Sequence, residues 1–544
     1  MLRRPIQWTR SGPSRVVLRW NSDTYLPRKQ IIAENPPQYY PSISEVRQKY
    51  TQKAPVASRV PQFCAQFRGY DFSKHPQKRI DACHKIEGRI SLVRRSGRGI
   101  YFLDLVQDDE KVQLMAHHKL MELSVDDFDQ HHSFLRSGDY VVAVGFPSTT
   151  NVGELTLKLN CPIELVSPCL NLTTIPEKLS DRRLINKNRV LDYIVSPELR
   201  EHMVIRSLVI QAIRSFFLQR QFLEVQTPLL AGNGTGANAQ PFKTALRALG
   251  LLEEESLSLR VAPELWLKRL VISGFDKVFE IGPSFRNEGV DATHNPEFYT
   301  CEFYQLFLSL EELMEITQDL FAHIHSSLST HRTKLRLLDQ HLTSLEPLAS
   351  RNFRRYEFIP TIQEITGHPF PKKMDSNALV EYFHKIGAAL PSNKSPASLL
   401  DELSSLYLEP LSLASKEPVI FYNQPAALSP LAKSTTRTYS NHPHEISSRF
   451  ELFIDGKEYV NSYEEENSPF AQVSKFKIQQ AAKLDHHDPE ALVPDWQYAR
   501  VMEYGLPPTG GWGCGIDRLV MLFSGASRIS QVLPFGTIRD VVRQ

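Results

Sequence analysis

The sequence predicts an α+β chain of two parts: a small N-terminal β-barrel, and a larger domain in which helices flank an antiparallel β-sheet. Three observations carry this. Five short strand-like segments separated by turn residues lie between His84 and Ser167. At Ser196–Pro197 the pattern changes to apolar residues recurring at three and four, and strands and helices then alternate to the end. Finally, "FRNEGVDATHNPEFYTCEFYQ" (285–305) reads as two strands joined by a long hairpin loop, with Arg286, Glu288, Glu302 and Tyr304 all on even positions. Even positions of one strand share a face, so that face is charged and suits a ligand rather than a core.

The elements follow in order. Residues 1–22, "MLRRPIQWTRSGPSRVVLRWNS", hold five arginines and three serines, with no acid before Asp23. That is the composition of a mitochondrial transit peptide and implies matrix targeting; a basic arm that binds nucleic acid is the alternative. Residues 23–75 are rich in Pro, Tyr and Gln and read as a flexible or partly helical connector. Residues 76–170 hold the strand segments "HKIEGRISLVRR", "GIYFLDLVQ", "KVQLMAHH", "GDYVVAVGFPS" and "ELTLKLNCPIELVS". Five strands of this length fit a Greek-key barrel of the OB type, and a plain β-sandwich fits nearly as well. Residues 171–195 read as a polar linker, residues 196–544 as the larger domain, and 325–420 as an inserted or variable helical region without legible chemistry.

Bulk composition narrows the classes. A length of 544 residues implies two or three domains, and 41% hydrophobic with 23% charged residues is an ordinary globular balance. No apolar run approaches the roughly 20 residues of a membrane span. The six cysteines form no C-x-x-C pair, which argues against a zinc site or a disulfide framework. Net charge is +2, but residues 1–100 carry 20 Lys/Arg against 6 Asp/Glu. A basic front on an acidic body implies an anionic partner.

Three segments define the chemistry. "FLEVQTPLL" (222–230), "FRNEGVDATHNPEF" (285–298) and "GWGCGIDRL" (511–519) resemble motifs 1, 2 and 3 of the class II aminoacyl-tRNA synthetases. A barrel ahead of them resembles subclass IIb, which handles lysine, aspartate and asparagine. "RVAPELWLKRLVISGFDKVFEIG", "CEFY", "RFELFIDGKEYVNSYEEEN" and "GLPPTGGWGCGIDR" are similar to lysyl-tRNA synthetases of mitochondrial type, and the resemblance covers roughly residues 80–320 and 420–535. It implies ATP-dependent ligation of lysine to tRNA(Lys) through a lysyl-adenylate, by a homodimer. An aspartyl or asparaginyl enzyme, or an inactive tRNA-binding paralogue, is the alternative.

The resemblance assigns residues. Lysine would be held by Gly236, Glu264, Glu302, Tyr304, Asn461 and Glu465. Free lysine carries two ammonium groups, and three carboxylates in one pocket repel one another unless a cation sits among them. For ATP, Arg286 would meet the α-phosphate, Glu288 and His294 the adenine or outer phosphates, and Phe298 the adenine face. Arg518 would lie across the base and reach the γ-phosphate, with Asn295, Glu458, Gly515 and Asp517 completing the site. Arg286 and Arg518 are the catalytic pair, since guanidinium is always charged and forked. Glu451 and Glu458 would hold Mg²⁺; seven apart in a strand they oppose each other unless the "DGK" turn intervenes. In the barrel, Phe102 and Gln113 would read the anticodon, with Arg89, Arg94 and Arg98 at phosphates. Because Tyr101 and Leu103 flank Phe102, an alternating strand puts Phe102 on the other face. The family pattern GGA-x-ARPF reads "TGANAQPF" here, with Thr235 and Gln240 as departures; Arg247 is a third.

Overall fold

The computed structural model describes residues 22–50, 54, 56–171, 188–232, 239–244, 257–486 and 494–542, without the side chains of 22–26 and 482–486. The chain divides into two compact units, Met1–Leu179 and Ser180–Gln544. The arginine-rich start, Thr235, Gly236 and Arg247 lie outside the described residues.

In the first unit, the longer helices ahead of the barrel are α1 (Ser22–Glu34), α2 (Ile43–Tyr50) and α3 (Val60–Phe67). The connector is therefore largely helical. α1 is pinned by Arg28, which donates to the Phe134 and Cys169 carbonyls and to both oxygens of Asp139 at 2.7–3.0 Å. A guanidinium buried to 4% exposure is stable there because its charge and donors are matched. The barrel strands are β1 (His84–Arg95), β2 (Ile100–Gln107), β3 (Glu110–His117), β4 (Tyr140–Thr149) and β5 (Leu155–Leu159). They pair in the order β1-β2-β3-β5-β4, and β4 pairs back onto β1 from His84↔Gly145 to Arg89↔Tyr140. That last ladder closes the barrel and sets the sandwich alternative aside. Helix α4 (Val125–His132) presents Phe128 to a core with Tyr101, Leu103 and Leu114.

The second unit starts with α5 (Arg189–Val195) and α6 (Pro197–Gln219). Part of the expected linker is thus a helix, capped by the Asn188 side chain on the Leu191 amide. Eight strands then form one sheet: β6 (Leu223–Glu224), β7 (Lys277–Phe285), β8 (Glu297–Leu306), β9 (Arg354–Glu357), β10 (Val419–Tyr422), β11 (Arg449–Ile454), β12 (Lys457–Glu464) and β13 (Thr509–Gly515). Their order is β9-β10-β11-β12-β13-β8-β7-β6, antiparallel except at the two edge pairs. Residues 325–420 are mostly helical as expected, but β9 belongs to the sheet. Four residues that pair in parallel with a strand some sixty positions later leave no local periodicity to read.

One sheet face packs against α6, α8 (Leu310–Ser329) and α9 (Ile516–Ser524). Trp512 is its centre: it stacks on Phe303 at 5.4 Å and donates from Nε1 to Thr317 Oγ1 at 3.0 Å. The opposite face carries the polar residues.

Candidate active site

Strand alternation builds the site. In β13, Trp512 and Cys514 point to the core, so Gly511, Gly513 and Gly515 point the other way. Gly513 lies opposite Glu302 of β8 and Asn461 of β12, and Asn461 lies opposite Glu451 of β11. The adjacent row reads Tyr304, Gly511, Tyr463 and Arg449. A side-chain-free strand between two polar strands leaves a trough. It opens into a cavity of about 690 Å³ lined by residues of motifs 2 and 3.

Two local features aim the glutamates. Asp455 (φ 51°) and Gly456 (φ 68°) form the two-residue turn that places Phe453 opposite Glu458, so Glu458 shares a face with Glu451. A register shift between Leu452 and Phe453 then leaves Tyr459 unpaired. Without this bulge Asn461 and Tyr463 would point away from Glu458; with it, all three line the cavity.

At one end stand the residues expected for lysine. Tyr304 donates to Glu302 Oε2 at 3.2 Å, and Tyr463 donates to Glu264 Oε1 at 2.6 Å. Glu264 opens helix α7 (Glu264–Ile272). Burial, reinforced by the Glu264 charge, pushes the Glu302 carboxyl up to about 8. Arg449 donates to Asn461 Oδ1 at 2.9 Å and also meets Glu451. Glu465 differs from the others. It is buried on the trough side of Gly511, where a Cβ would meet both its Oε1 and the Tyr304 ring, does not line the cavity, and is ion-paired to Lys268 of α7.

At the other end stand the residues expected for ATP. The Arg286 guanidinium lies 5.2 Å from the Phe298 ring, and its Nε has no hydrogen-bond partner among the described residues. A buried donor left unpaired costs free energy, which an anion would recover. His294 joins Asp291 at 2.8 Å and Arg518 at 2.6 Å, linking the hairpin loop to α9. Glu288, Phe298 and Gly515 line the cavity. Asn295 and Asp517 line it too, but their polar atoms are engaged. Asn295 donates to the Glu297 carbonyl and accepts from the Ile538 amide. Asp517 pairs with Arg206 of α6 and accepts from the Tyr299 amide at 2.8 Å. Asp517 thus ties together the helix before motif 1, the second strand of motif 2 and the start of α9.

Glu451 and Glu458 also line the cavity. Burial and then the Glu451 charge push the Glu458 carboxyl upward, against Arg518, Arg449 and Arg286. Two crowded carboxylates suit a divalent cation, and Mg²⁺ takes few protein carboxylates when phosphate oxygens complete it. Among the described residues, no larger group of His, Cys, Asp and Glu forms a metal site.

In the barrel unit, Phe102 is half-buried and outside the core, on the outer face with Arg94 and Met115 directly across. Gln113 lies one row along, its amide fixed by Glu154 at 2.8 Å and Thr156 at 3.1 Å. Arg89 shares that face but pairs with Val106, two rows from Phe102. Arg98 reaches Asp126 at 3.6 Å.

Sequence reasoning missed Lys268, Arg449, Tyr463 and the bulge at Tyr459. Only Lys268 left a signal, as the i+4 partner of Glu264 in "ELWLK".

Two family models match the chain: tRNA synthetases class II (D, K and N) over residues 181–539, and the OB-fold nucleic acid binding domain over 84–164. The chain is 36% identical to the mitochondrial lysine–tRNA ligase of Saccharomyces cerevisiae over 538 residues, 93% of this chain and 90% of that one. It is 39% identical to the mitochondrial lysine–tRNA ligase of Schizosaccharomyces pombe over 461 residues, 84% of each. It is 36% identical to the lysine–tRNA ligase of Wolinella succinogenes over 484 residues, 88% of this chain and 90% of the relative.

Proposed function

We infer that the chain, which belongs to the class II tRNA synthetases of the aspartate, lysine and asparagine group, is a lysine–tRNA ligase that works in mitochondria. The observation that carries the choice of amino acid is the buried set of Glu264, Glu302 and Tyr304 at one end of the cavity. An ammonium group is the natural occupant of buried carboxylates, and an aspartate side chain would be repelled. Glu302 and Tyr304 take the ε-ammonium, and Glu264 takes the α-ammonium together with Gly236, which lies outside the described residues. Asn461, steered by Arg449, orients the substrate carboxylate.

ATP occupies the other end. Arg286 faces the α-phosphate, Phe298 stacks on the adenine, and Arg518 lies across the base toward the γ-phosphate. His294 and Glu288 close the site from the motif 2 loop. Asn295 and Asp517 act by holding the loop and α9 in place, and Gly515 lets the chain approach the nucleotide. Glu451 and Glu458 would hold Mg²⁺, which supplies positive charge to the phosphates. The lysine carboxylate oxygen attacks the α-phosphorus, the bond to the β-phosphate oxygen breaks, and pyrophosphate leaves. The nucleophile is already ionised, so no general base is required; the protein supplies positioning and charge. A terminal ribose hydroxyl of tRNA(Lys) then takes the lysyl group and AMP leaves.

The barrel reads the anticodon through Phe102 and Gln113, with Arg94 the nearest basic neighbour and Arg89 and Arg98 at the backbone. A homodimer is supported by Leu218, Leu223, Leu229 and Leu230, all at least 40% exposed around motif 1 at the sheet edge. The arginine-rich first 22 residues support import to the matrix. The test is Arg286→Ala. Removing one charge at the developing phosphorane lowers lysine-dependent ATP–pyrophosphate exchange on the order of 10²–10³-fold; near-normal exchange would refute the assignment.

A further inference from the structure

The outer face of the barrel carries more than Phe102. Strand pairing sets Arg94, Phe102 and Met115 side by side on β1, β2 and β3, and continues the row through Lys158 of β5 to Phe146 of β4. Partners across a ladder share a face, so Phe102 and Phe146 point to the same side. Both are half-buried, and neither belongs to the barrel core. The next row runs from Gln113 through Thr156 to Ser148, and the backbone of Arg79 bridges to Ser148. From there Arg79 reaches over the Phe146 ring, its guanidinium carbon 4.6 Å from the centroid.

We propose that Arg79 and Phe146 form a second stacking platform for the tRNA, taking a nucleotide of the anticodon loop other than the base on Phe102. The proposal rests on the reading of this barrel face as the anticodon site. Three strand spacings separate the two phenylalanines, roughly 14 Å along the sheet. Successive stacked bases are about 3.4 Å apart, so neither one base nor two bases in contact can meet both rings. A guanidinium backed by an aromatic ring offers a flat surface that is always charged, and every base has a face to lay on it.

The contact is not needed to fasten the segment that holds Arg79. The Ile80 amide donates to the Pro147 carbonyl at 3.0 Å, and Ser148 Oγ donates to the Lys78 carbonyl at 2.5 Å. The surroundings also suit a phosphate. Lys158 donates to the Gln77 carbonyl at 3.1 Å and stands close to Arg79 and Lys78. Burial, and then those two charges, hold its ammonium below the ordinary range, and an anion would relieve this crowding. Asp81 meets Arg79 Nε at 3.1 Å but is 76% exposed. Gln77 and Lys78 adopt left-handed backbone at φ 54° and 52°, a costly conformation that clusters at functional sites.

The experiment measures the Kd of the full-length protein for a tRNA(Lys) transcript by fluorescence anisotropy at fixed salt, beside melting temperature and lysine-dependent ATP–pyrophosphate exchange. Phe146→Leu keeps apolar bulk and removes the ring. It should weaken binding about five- to a hundredfold, with melting temperature and exchange unchanged, and Phe146→Trp should bind near wild type. Abasic nucleotides scanned through the anticodon loop should give two different positions, one that removes the cost of Phe146→Leu and one that removes the cost of Phe102→Leu. If Phe146→Leu lowers the melting temperature, Arg79→Lys, which keeps the charge and loses the plane, must weaken binding at unchanged stability. Unchanged binding in Phe146→Leu, or in Arg79→Lys where that variant is needed, overturns the proposal. So does a cost of Phe146→Leu that no loop position removes, or that the Phe102 position removes. Phe102→Leu separates the two readings. If it weakens binding while Phe146→Leu does not, only the second platform has failed; if neither does, the barrel face is not the anticodon site.

Discussion

Glu302 decides how the cavity responds to pH. Its carboxyl, pushed up to about 8 by burial and by Glu264, is mostly protonated in the empty pocket at neutral pH. On the proposed assignment the ε-ammonium meets the ionised form, so lysine binding displaces that proton. Lysine affinity should rise as pH approaches about 8, by up to about tenfold per unit, and level off above. For the empty protein the sign is opposite. A carboxyl raised from 4.5 adds stability that is fully present below 4.5 and lost as pH rises through about 8. Glu302→Gln keeps the shape and removes the charge. It should raise the lysine KM by the equivalent of about 2–5 kcal/mol and flatten the pH dependence, leaving the ATP KM unchanged. Steady-state kinetics across pH check both, and an unchanged lysine KM would contradict the assignment. This residue was legible in the sequence because Glu302 and Tyr304 obey the period of two. Lys268 was less so: its ion pair with Glu465, almost two hundred positions away, depends on α7 folding back against that residue.

At the scale of elements, β13 does two jobs through one alternation. Its apolar residues fill the core, and its glycines leave the trough open at Gly513 and make room for Glu465 at Gly511. A Cβ at Gly513 would make ordinary contact with Glu302 Cγ at 3.6 Å, so the fold tolerates a side chain that the substrate does not. Gly513→Val should cut lysine-dependent exchange on the order of 10²-fold, as small displacements of a bound reactant do. Melting temperature should fall less than in Gly511→Ala, where the new carbon overlaps Glu465 and Tyr304. Retained exchange in Gly513→Val would place the substrate elsewhere. The hairpin β11–β12 shows where reading the sequence stops. "DGK" announces the turn and correctly brings Glu451 and Glu458 to one face. The bulge at Tyr459 carries no such signal, because one extra residue changes a strand's parity without changing its composition. Strand β9 escapes for a different reason: its partner is remote and its run is four residues.

At the scale of the molecule, the proposed function assigns activation and tRNA reading to separate units, the cavity of one and the outer barrel face of the other. Phe102 lies outside the barrel core, so Phe102→Ala should leave melting temperature and lysine-dependent exchange near wild type. Aminoacylation of tRNA should weaken by the equivalent of about 1–3 kcal/mol, the worth of one stacked base. A parallel loss of both activities with stability would make Phe102 structural. The five strands, the helical switch at Ser196 and the motif order were all legible because each is a local pattern. The closure of the barrel and the alignment of Glu302, Gly513, Asn461 and Glu451 in one row were not, since both are products of register between distant strands. The central claim is that this alignment selects and activates lysine. ATP–pyrophosphate exchange by the purified protein, with lysine, aspartate or asparagine supplied in turn, tests it most directly. The account predicts exchange with lysine alone; exchange driven by aspartate or asparagine, or by none of the three, would contradict it.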